Sequence, residues 1–233
     1  MPRLFFLGTD TDVGKTRVAT YLVGWLNRRH IPAIGFKPIE SGCLNENGQL
    51  QPRDGLAHVA ASHGLVTLDE ISLYRMVQPI TPSVAAESEG VHIEIGEILR
   101  TADQLEERCD WLVVEGAGGL LSPLWKRTTN LEFLASLGAT PVLVARSALG
   151  TINHTLLTLR ALESAGFSKT VVLLNRCSPD TTADEATNAA VIRQFTDSDI
   201  VGPFPWLESG VAETADAVMA ELEAVISRRR DPA

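Results

Sequence analysis

At 233 residues, 45% of them hydrophobic, the chain can bury a large core, and a single α/β domain over residues 1–233 is expected. A formal net charge of −9 and a pI near 5.0 exclude the broad basic face by which proteins hold nucleic acid. Three widely spaced cysteines, Cys43, Cys109 and Cys177, form no C-x-x-C pair, which argues for reduced thiols and against a disulfide framework or structural zinc.

The first element is Leu4–Leu7, an apolar run that reads as a strand and is too short for the hydrophobic region of a signal peptide. No later stretch approaches the ~20 apolar residues that span a bilayer, so a cytoplasmic protein with no membrane association is expected. The strand runs directly into Gly8-Thr9-Asp10-Thr11-Asp12-Val13-Gly14-Lys15-Thr16, and Val18, Leu22, Trp25 and Leu26 then repeat at helical spacing. Strand, glycine loop, Gly-Lys-Thr and helix, in that order, are the parts of a phosphate-binding P-loop. Glycine admits a close backbone approach, the loop N–H groups turn inward, and the helix N-terminus adds positive potential. Lys15 suits the β- and γ-phosphates of ATP, and the Thr16 hydroxyl suits Mg²⁺. Five residues separate the two glycines where four are usual, which marks a variant class of the loop.

Ala33–Phe36 reads as the next strand, followed by Lys37 and the stiffening Pro38; alone, Lys37 is an ordinary strand-end lysine. Gly42–Arg53, rich in Asn, Gln and Gly, reads as a mobile loop near the active face. Asp54 lies just ahead of a helical segment, where it fits either a helix N-cap or a second carboxylate on Mg²⁺. His58 and His63, five apart, fall on different helix faces and do not readily share a metal. Trp111–Val114 reads as a strand ended by Glu115, which opens Glu115-Gly116-Ala117-Gly118-Gly119. A carboxylate at the C-terminal end of a parallel strand lies on the ligand-binding edge of α/β folds, so Glu115 is a candidate metal ligand.

Val142–Ala145, Val171–Leu174 and Ile200–Phe204 read as further strands, while Leu156, Leu159 and Leu162, then Val218, Leu222 and Val225, mark helical stripes. Strands with so little polar alternation are covered on both faces. Their alternation with helices predicts a P-loop NTPase-like fold with a mostly parallel central sheet and helices on both faces. Arg228, Arg229 and Arg230 are expected to form a solvated tail without a role.

Several motifs together resemble the dethiobiotin synthetase family. Gly8–Thr16 is similar to that family's phosphate loop, including the extra residue, and Gly35-Phe36-Lys37-Pro38-Ile39-Glu40-Ser41-Gly42 to its second signature. Val114–Gly119 resembles the third. Leu149-Gly150-Thr151-Ile152-Asn153-His154, Asn175 after a strand, and Pro205-Trp206-Leu207 match in order and approximate spacing, so the likeness runs from about Leu4 to Leu207. Asp12 departs from it, being shorter than the family's glutamate.

The resemblance implies an ATP- and Mg²⁺-dependent ligase of biotin synthesis. A 7,8-diaminononanoate-type diamine captures CO₂ as a carbamate, ATP converts it to a carbamic–phosphoric anhydride, and the second amine closes the ring of dethiobiotin with release of phosphate. It implies Lys37, Lys15 and Thr11 as catalytic residues, and Thr16, Asp54 and Glu115 as metal ligands. ATP would be held by Asp12, Val13, Gly14, Lys15, Thr16, Arg17, Asp54, Glu115, Gly116, Ala117, Gly118, Asn175, Arg176, Pro205, Trp206 and Leu207. Asn175 offers donor and acceptor to an adenine edge, although without the motif Trp206 reads equally as a packed aromatic. Substrate would be held by Ser41, Thr11, Gly118 and, from the neighbouring subunit of a homodimer, by Gly150, Thr151 and Asn153 at an anion-attracting helix start. The rival reading is a nucleotide-switch ATPase of the partition and septum-positioning type, which carries an additional lysine early in the loop; here that stretch is Thr9-Asp10-Thr11. A related amidating ligase would need a glutaminase domain that this length does not hold. The ligase reading requires the amines of Lys15 and Lys37 to face one space.

Overall fold

The computed structural model describes residues 2–180, 185–208 and 210–229. In chain order the first elements are β1 (Arg3–Gly8), α1 (Lys15–Arg28), β2 (Ala33–Phe36), β3 (Ile39–Glu40), β4 (Leu44–Glu46), β5 (Gln49–Gln51), α2 (Arg53–Ala61), α3 (Leu68–Ile71) and β6 (Tyr74–Arg75). The middle of the chain forms α4 (Pro82–Glu89), α5 (Ile95–Glu106), β7 (Trp111–Gly119), β8 (Pro123–Trp125), β9 (Thr128–Thr129), α6 (Asn130–Leu137) and β10 (Thr140–Arg146). It closes with α7 (Thr151–Ser164), β11 (Val171–Asn175), α8 (Glu185–Ile192), β12 (Asp199–Phe204) and α9 (Ala212–Arg228).

The main sheet of the described residues has six strands in the order β12-β11-β10-β1-β7-β2, every adjacent pair parallel. All six runs expected as strands form it. Their continuous hydrophobicity has the anticipated cause. Phe5 and Leu7 of β1 face a core built with Phe133 and Leu134 of α6 and Leu159 and Leu162 of α7. Leu4 and Phe6 face the opposite core, with Val18 and Leu22 of α1 and Met219 and Leu222 of α9. Alternate residues of one strand thus enter two separate cores, each lined by helices. β1 lies between β10 and β7, and the chain leaves it through α1 to reach β2 beyond β7. The loops after β1 and β7 therefore open side by side at the carboxyl edge, the usual location for ligands in such sheets.

Three expectations change. The Gly42–Arg53 stretch contains an antiparallel hairpin, β4 with β5, in place of an unstructured loop, because Asn47 and Gly48 adopt the positive φ angles of a tight turn. The third strand does not end before Glu115; it continues to Gly119, where it pairs with Gly8. Arg229 is not a free tail residue. Its Nε donates to Asp199 at 3.0 Å and an Nη to the Thr170 carbonyl at 3.1 Å, tying α9 to the sheet edge. Arg230 lies outside the described residues.

Candidate active site

The P-loop is shaped by its own glycine and by a distant asparagine. Gly14 caps α1 with φ +89°, a left-handed conformation that a side chain strains, and a Cβ there would lie 2.1 Å from Asn175 Nδ2. Asn175, at the end of β11, is completely buried and donates from Nδ2 to the Val13 carbonyl at 2.8 Å. Its Oδ1 has no hydrogen-bond partner. Lys15 bends back over the loop, donating from Nζ to the Asp10 carbonyl at 3.1 Å. Burial, with the nearby Lys37 ammonium, lowers its pKa to about 8.

Opposite Lys15 stands a buried charge cluster. Lys37 Nζ lies 2.7 Å from Glu115 Oε1 and 3.3 Å from Asp54 Oδ2, and donates to the Gly116 carbonyl at 3.2 Å. Thr16 Oγ1 donates to the same Oε1 at 2.8 Å, and His58 Nε2 meets Glu115 Oε2 at 2.8 Å. Burial works against both charges of the central pair. The Glu115 and Asp54 carboxylates outweigh it and hold the Lys37 ammonium above its ordinary range. Lys37 and His58 likewise hold Glu115 well below the usual carboxylate range.

Asp54 does not cap α2; Pro52 does, and Asp54 is the second residue of the helix. The capping function falls to Glu40, whose carboxylate accepts the N–H groups of Asp54 at 3.0 Å and Gly55 at 2.9 Å. These are donors that the first turn of a helix leaves unmet. Burial, then Asp54, raises the pKa of Glu40.

Thr11, Asp12, Gly14, Lys15, Thr16, Lys37, Ser41, Asp54, Glu115, Ala117 and Gly118 line one open cavity of about 580 Å³. The two lysines face the same space, as the ligase reading requires. Val13 is buried behind the loop, and Gly116 contributes its carbonyl to Lys37. The expected base-binding residues gather on the other side of Gly14. The Arg17 guanidinium stacks 3.9 Å from the Trp206 ring centroid and reaches the Arg176 carbonyl at 3.5 Å, and Arg176 pairs with Glu185 at 2.7 Å. Pro205 is buried and Leu207 exposed beside them. Gly150, Thr151 and Asn153 do open α7, with Gly150 as its left-handed cap, but they do not line the cavity of their own chain.

Among the described residues no group of three or more His, Cys, Asp or Glu side chains could hold a metal ion. The expected ligand set at the cavity, Thr16, Asp54 and Glu115, is one hydroxyl and two carboxylates. That sparse set fits Mg²⁺, which keeps phosphate oxygens and waters in its remaining positions.

A family model described as AAA domain matches residues 2–214. The ATP-dependent dethiobiotin synthetase BioD of Anaeromyxobacter dehalogenans (strain 2CP-C) is 38% identical over 226 residues, covering 97% of this chain and 99% of that protein. The chain belongs to the dethiobiotin synthetase family. Another relative of that name, from Thermodesulfovibrio yellowstonii, is 34% identical over 235 residues, 96% of this chain and 98% of its own. Solved structures similar to this one include the MinC:MinD cell division complex of Aquifex aeolicus, with TM-score 0.58 and 13% identity over 100% of this chain and 98% of that one. A ParA family ATPase from Chlorobium tepidum gives TM-score 0.54 and 16% identity over 99% and 98% of the two chains. At such identities these neighbours establish the P-loop fold and nothing further.

Three residues that contact this candidate site are not marked by the sequence. The spacing of His58 to His63 carries nothing, whereas its spacing to Asp54, four residues earlier, puts the two on one face of α2. Glu40 stood inside a matched motif without a role. Asn130 is buried at the start of α6 and donates from Nδ2 to the carbonyls of Ala117 and Gly119, both at 2.7 Å, so it pins the glycine segment that follows Glu115. Nothing local in the sequence marks Asn130, because its partners are set by the fold.

Proposed function

We propose that this chain, acting as one domain, converts a vicinal diamine of the 7,8-diaminononanoate type, CO₂ and ATP into dethiobiotin, ADP and phosphate. One amine adds to CO₂ and loses a proton, giving a carbamate. A carbamate oxygen attacks the γ-phosphorus of ATP and ADP departs. The second amine then attacks the carbamyl carbon, the carbon–oxygen bond to phosphate breaks, and the cyclic urea closes. Both intermediates, the carbamate and the carbamic–phosphoric anhydride, are anionic, so the work falls to positioned cations and hydrogen-bond donors.

Lys15 would hold the β- and γ-phosphates, while Lys37 would neutralise the carbamate and the phosphoryl group in transfer. Thr16, Asp54 and Glu115 would hold Mg²⁺, which when bound supplies charge neutralisation and orientation of the phosphates. Thr11, Ser41 and Gly118 line the same cavity and would orient the reacting end of the diamine. Asn175, with its unpartnered Oδ1, and the Arg17–Trp206 stack would frame the base alongside Arg176, Pro205 and Leu207.

A homodimer accounts for Gly150, Thr151 and Asn153, which would reach the substrate carboxylate of the partner's site. Leu149, just ahead of that helix, is 84% exposed, and Leu157 further along it, 62% exposed, shares a surface hollow with Leu121, 61% exposed, apolar surface suited to a second copy. No helix among the described residues is long and apolar enough to cross a membrane.

The observation that carries the reading is Lys37, buried between Glu115 and Asp54 at the wall of the cavity that Lys15 enters. A nucleotide switch has no use for that second lysine. The purified protein should release phosphate from ATP only with diamine, bicarbonate and Mg²⁺ together, with dethiobiotin appearing by mass spectrometry. Equal turnover without diamine would favour the switch.

A further inference from the structure

The two oxygens of Glu115 have different neighbours. Oε1 meets Thr16 Oγ1 at 2.8 Å and Lys37 Nζ at 2.7 Å, on the cavity side. Oε2 meets one group, His58 Nε2, at 2.8 Å on the core side. His58 is completely buried, and its Nδ1 has no hydrogen-bond partner. Only one ring nitrogen thus has an acceptor to bond, which puts the ring proton on Nε2, aimed at Glu115.

The ring is also held in place. Gly35 of β2 packs against it so closely that a Cβ at Gly35 would lie 2.1 Å from Nδ1. Behind the histidine, Ser62 Oγ donates to the His58 carbonyl at 2.8 Å and accepts the Gly35 N–H at 3.1 Å, joining α2 to the strand. The imidazole has little room to turn.

We propose that His58 is a positioning residue that holds Oε2 of Glu115, leaving Oε1 alone to meet a divalent cation. Glu115 thereby becomes a one-oxygen ligand. This rests on the reading of Glu115 as a metal ligand and adds a selection to it. A carboxylate limited to one oxygen suits Mg²⁺, which demands near-octahedral geometry at about 2.0–2.1 Å. Ca²⁺ takes about 6–8 oxygens at longer range and commonly uses both oxygens of one carboxylate. His58 therefore favours the smaller ion by withholding half of the ligand.

The test is calorimetric titration of Mg²⁺ and Ca²⁺ into the full protein saturated with a non-hydrolysable ATP analogue. His58→Leu should weaken Mg²⁺ roughly tenfold or more, the usual range for losing a group that orients a metal ligand. It should weaken Ca²⁺ less, so that the Mg²⁺-to-Ca²⁺ preference falls. His58→Gln can place an N–H near the position of Nε2 and should restore much of the preference. Unchanged affinities in His58→Leu, equal losses for both ions, or equal behaviour of the Leu and Gln variants would each overturn the inference. Glu115→Gln is the control for the underlying reading. If it leaves Mg²⁺ affinity intact, Glu115 is not a ligand and the reading of the site fails; if it abolishes affinity while His58→Leu changes nothing, only the role of His58 fails. Should His58→Leu not fold, nitrogen NMR of the unmodified protein decides, with a proton on Nε2 expected and a proton on Nδ1 alone contradicting the assignment.

Discussion

Lys37 Nζ and Glu115 Oε1 meet at 2.7 Å, with side-chain exposures of 4% and 1%. Two charges so far from water persist only because each is the other's partner and because Asp54, Thr16, His58 and the Gly116 carbonyl meet their remaining hydrogen-bonding capacity. In the proposed reaction the same pair would part when anionic substrate draws Lys37 and Mg²⁺ draws Glu115. On that reading the free protein would store its catalytic cation against its metal ligand.

Removing one partner leaves the other charged and buried. Lys37→Met should abolish dethiobiotin formation while sparing nucleotide binding, and should lower stability by roughly 3–5 kcal/mol. Adding Glu115→Gln should recover most of that stability and none of the activity. Urea unfolding and product assays on the single and double variants check both; a Lys37→Met protein as stable as the parent would contradict the burial argument.

Lys15 carries a pH signature. Burial, then the Lys37 ammonium, lowers it to about 8 in the free protein, so above that pH it is increasingly neutral. A bound triphosphate favours the charged form and raises it again. ATP binding near pH 9 should therefore take up protons, and affinity should fall as pH rises through 8 and beyond. Calorimetry in two buffers of different ionisation enthalpy measures the uptake. Equal observed heats in the two buffers would mean that no proton is taken up and would contradict the lowered Lys15 pKa.

Glu40 touches the N-terminus of α2 and places Asp54 from behind. Glu40→Ala should cost about 1 kcal/mol through the lost cap. The loss is moderated because burial and Asp54 already make the ionised form of Glu40 less favourable. With the first turn loosened, Asp54 becomes less well aimed, and the Mg²⁺ concentration for half-maximal activity should rise several-fold. A Mg²⁺ titration of the rate checks this, and an unchanged requirement would show that Asp54 is held by other contacts.

Gly14→Ala combines backbone strain with a clash against Asn175. Strain alone amounts to about 1–3 kcal/mol, which converts to a loss of nucleotide affinity of at least about fivefold. Fluorescent-nucleotide titration would read it. Affinity equal to that of the parent would mean that the loop rebuilds itself around the methyl group.

How much of this could be read beforehand depended on the range of the interaction. The strands of the main sheet were legible because residues such as Leu4 and Phe5 face separate helix-lined cores and so form unbroken apolar runs. The P-loop was legible because its parts are contiguous. The run of β7 past Glu115 was not, since glycines in Gly116–Gly119 ordinarily signal a turn and only pairing with Gly8 keeps the strand going. Glu40, His58 and Asn130 act on partners between 11 and 57 residues away, so the pattern around each of them was silent.

The continuation of β7 has a mechanical meaning. Glu115 stands within a ladder that is bonded to β1 on one side and, up to Val114, to β2 on the other, so displacing it means unzipping sheet. Pro79, Ile80 and Thr81 also line the cavity and belong to no strand or helix. A closing movement during turnover would therefore be lopsided, with Glu115 an anvil fixed in the sheet and the chain between β6 and α4, outside any strand or helix, the side left to act as the jaw.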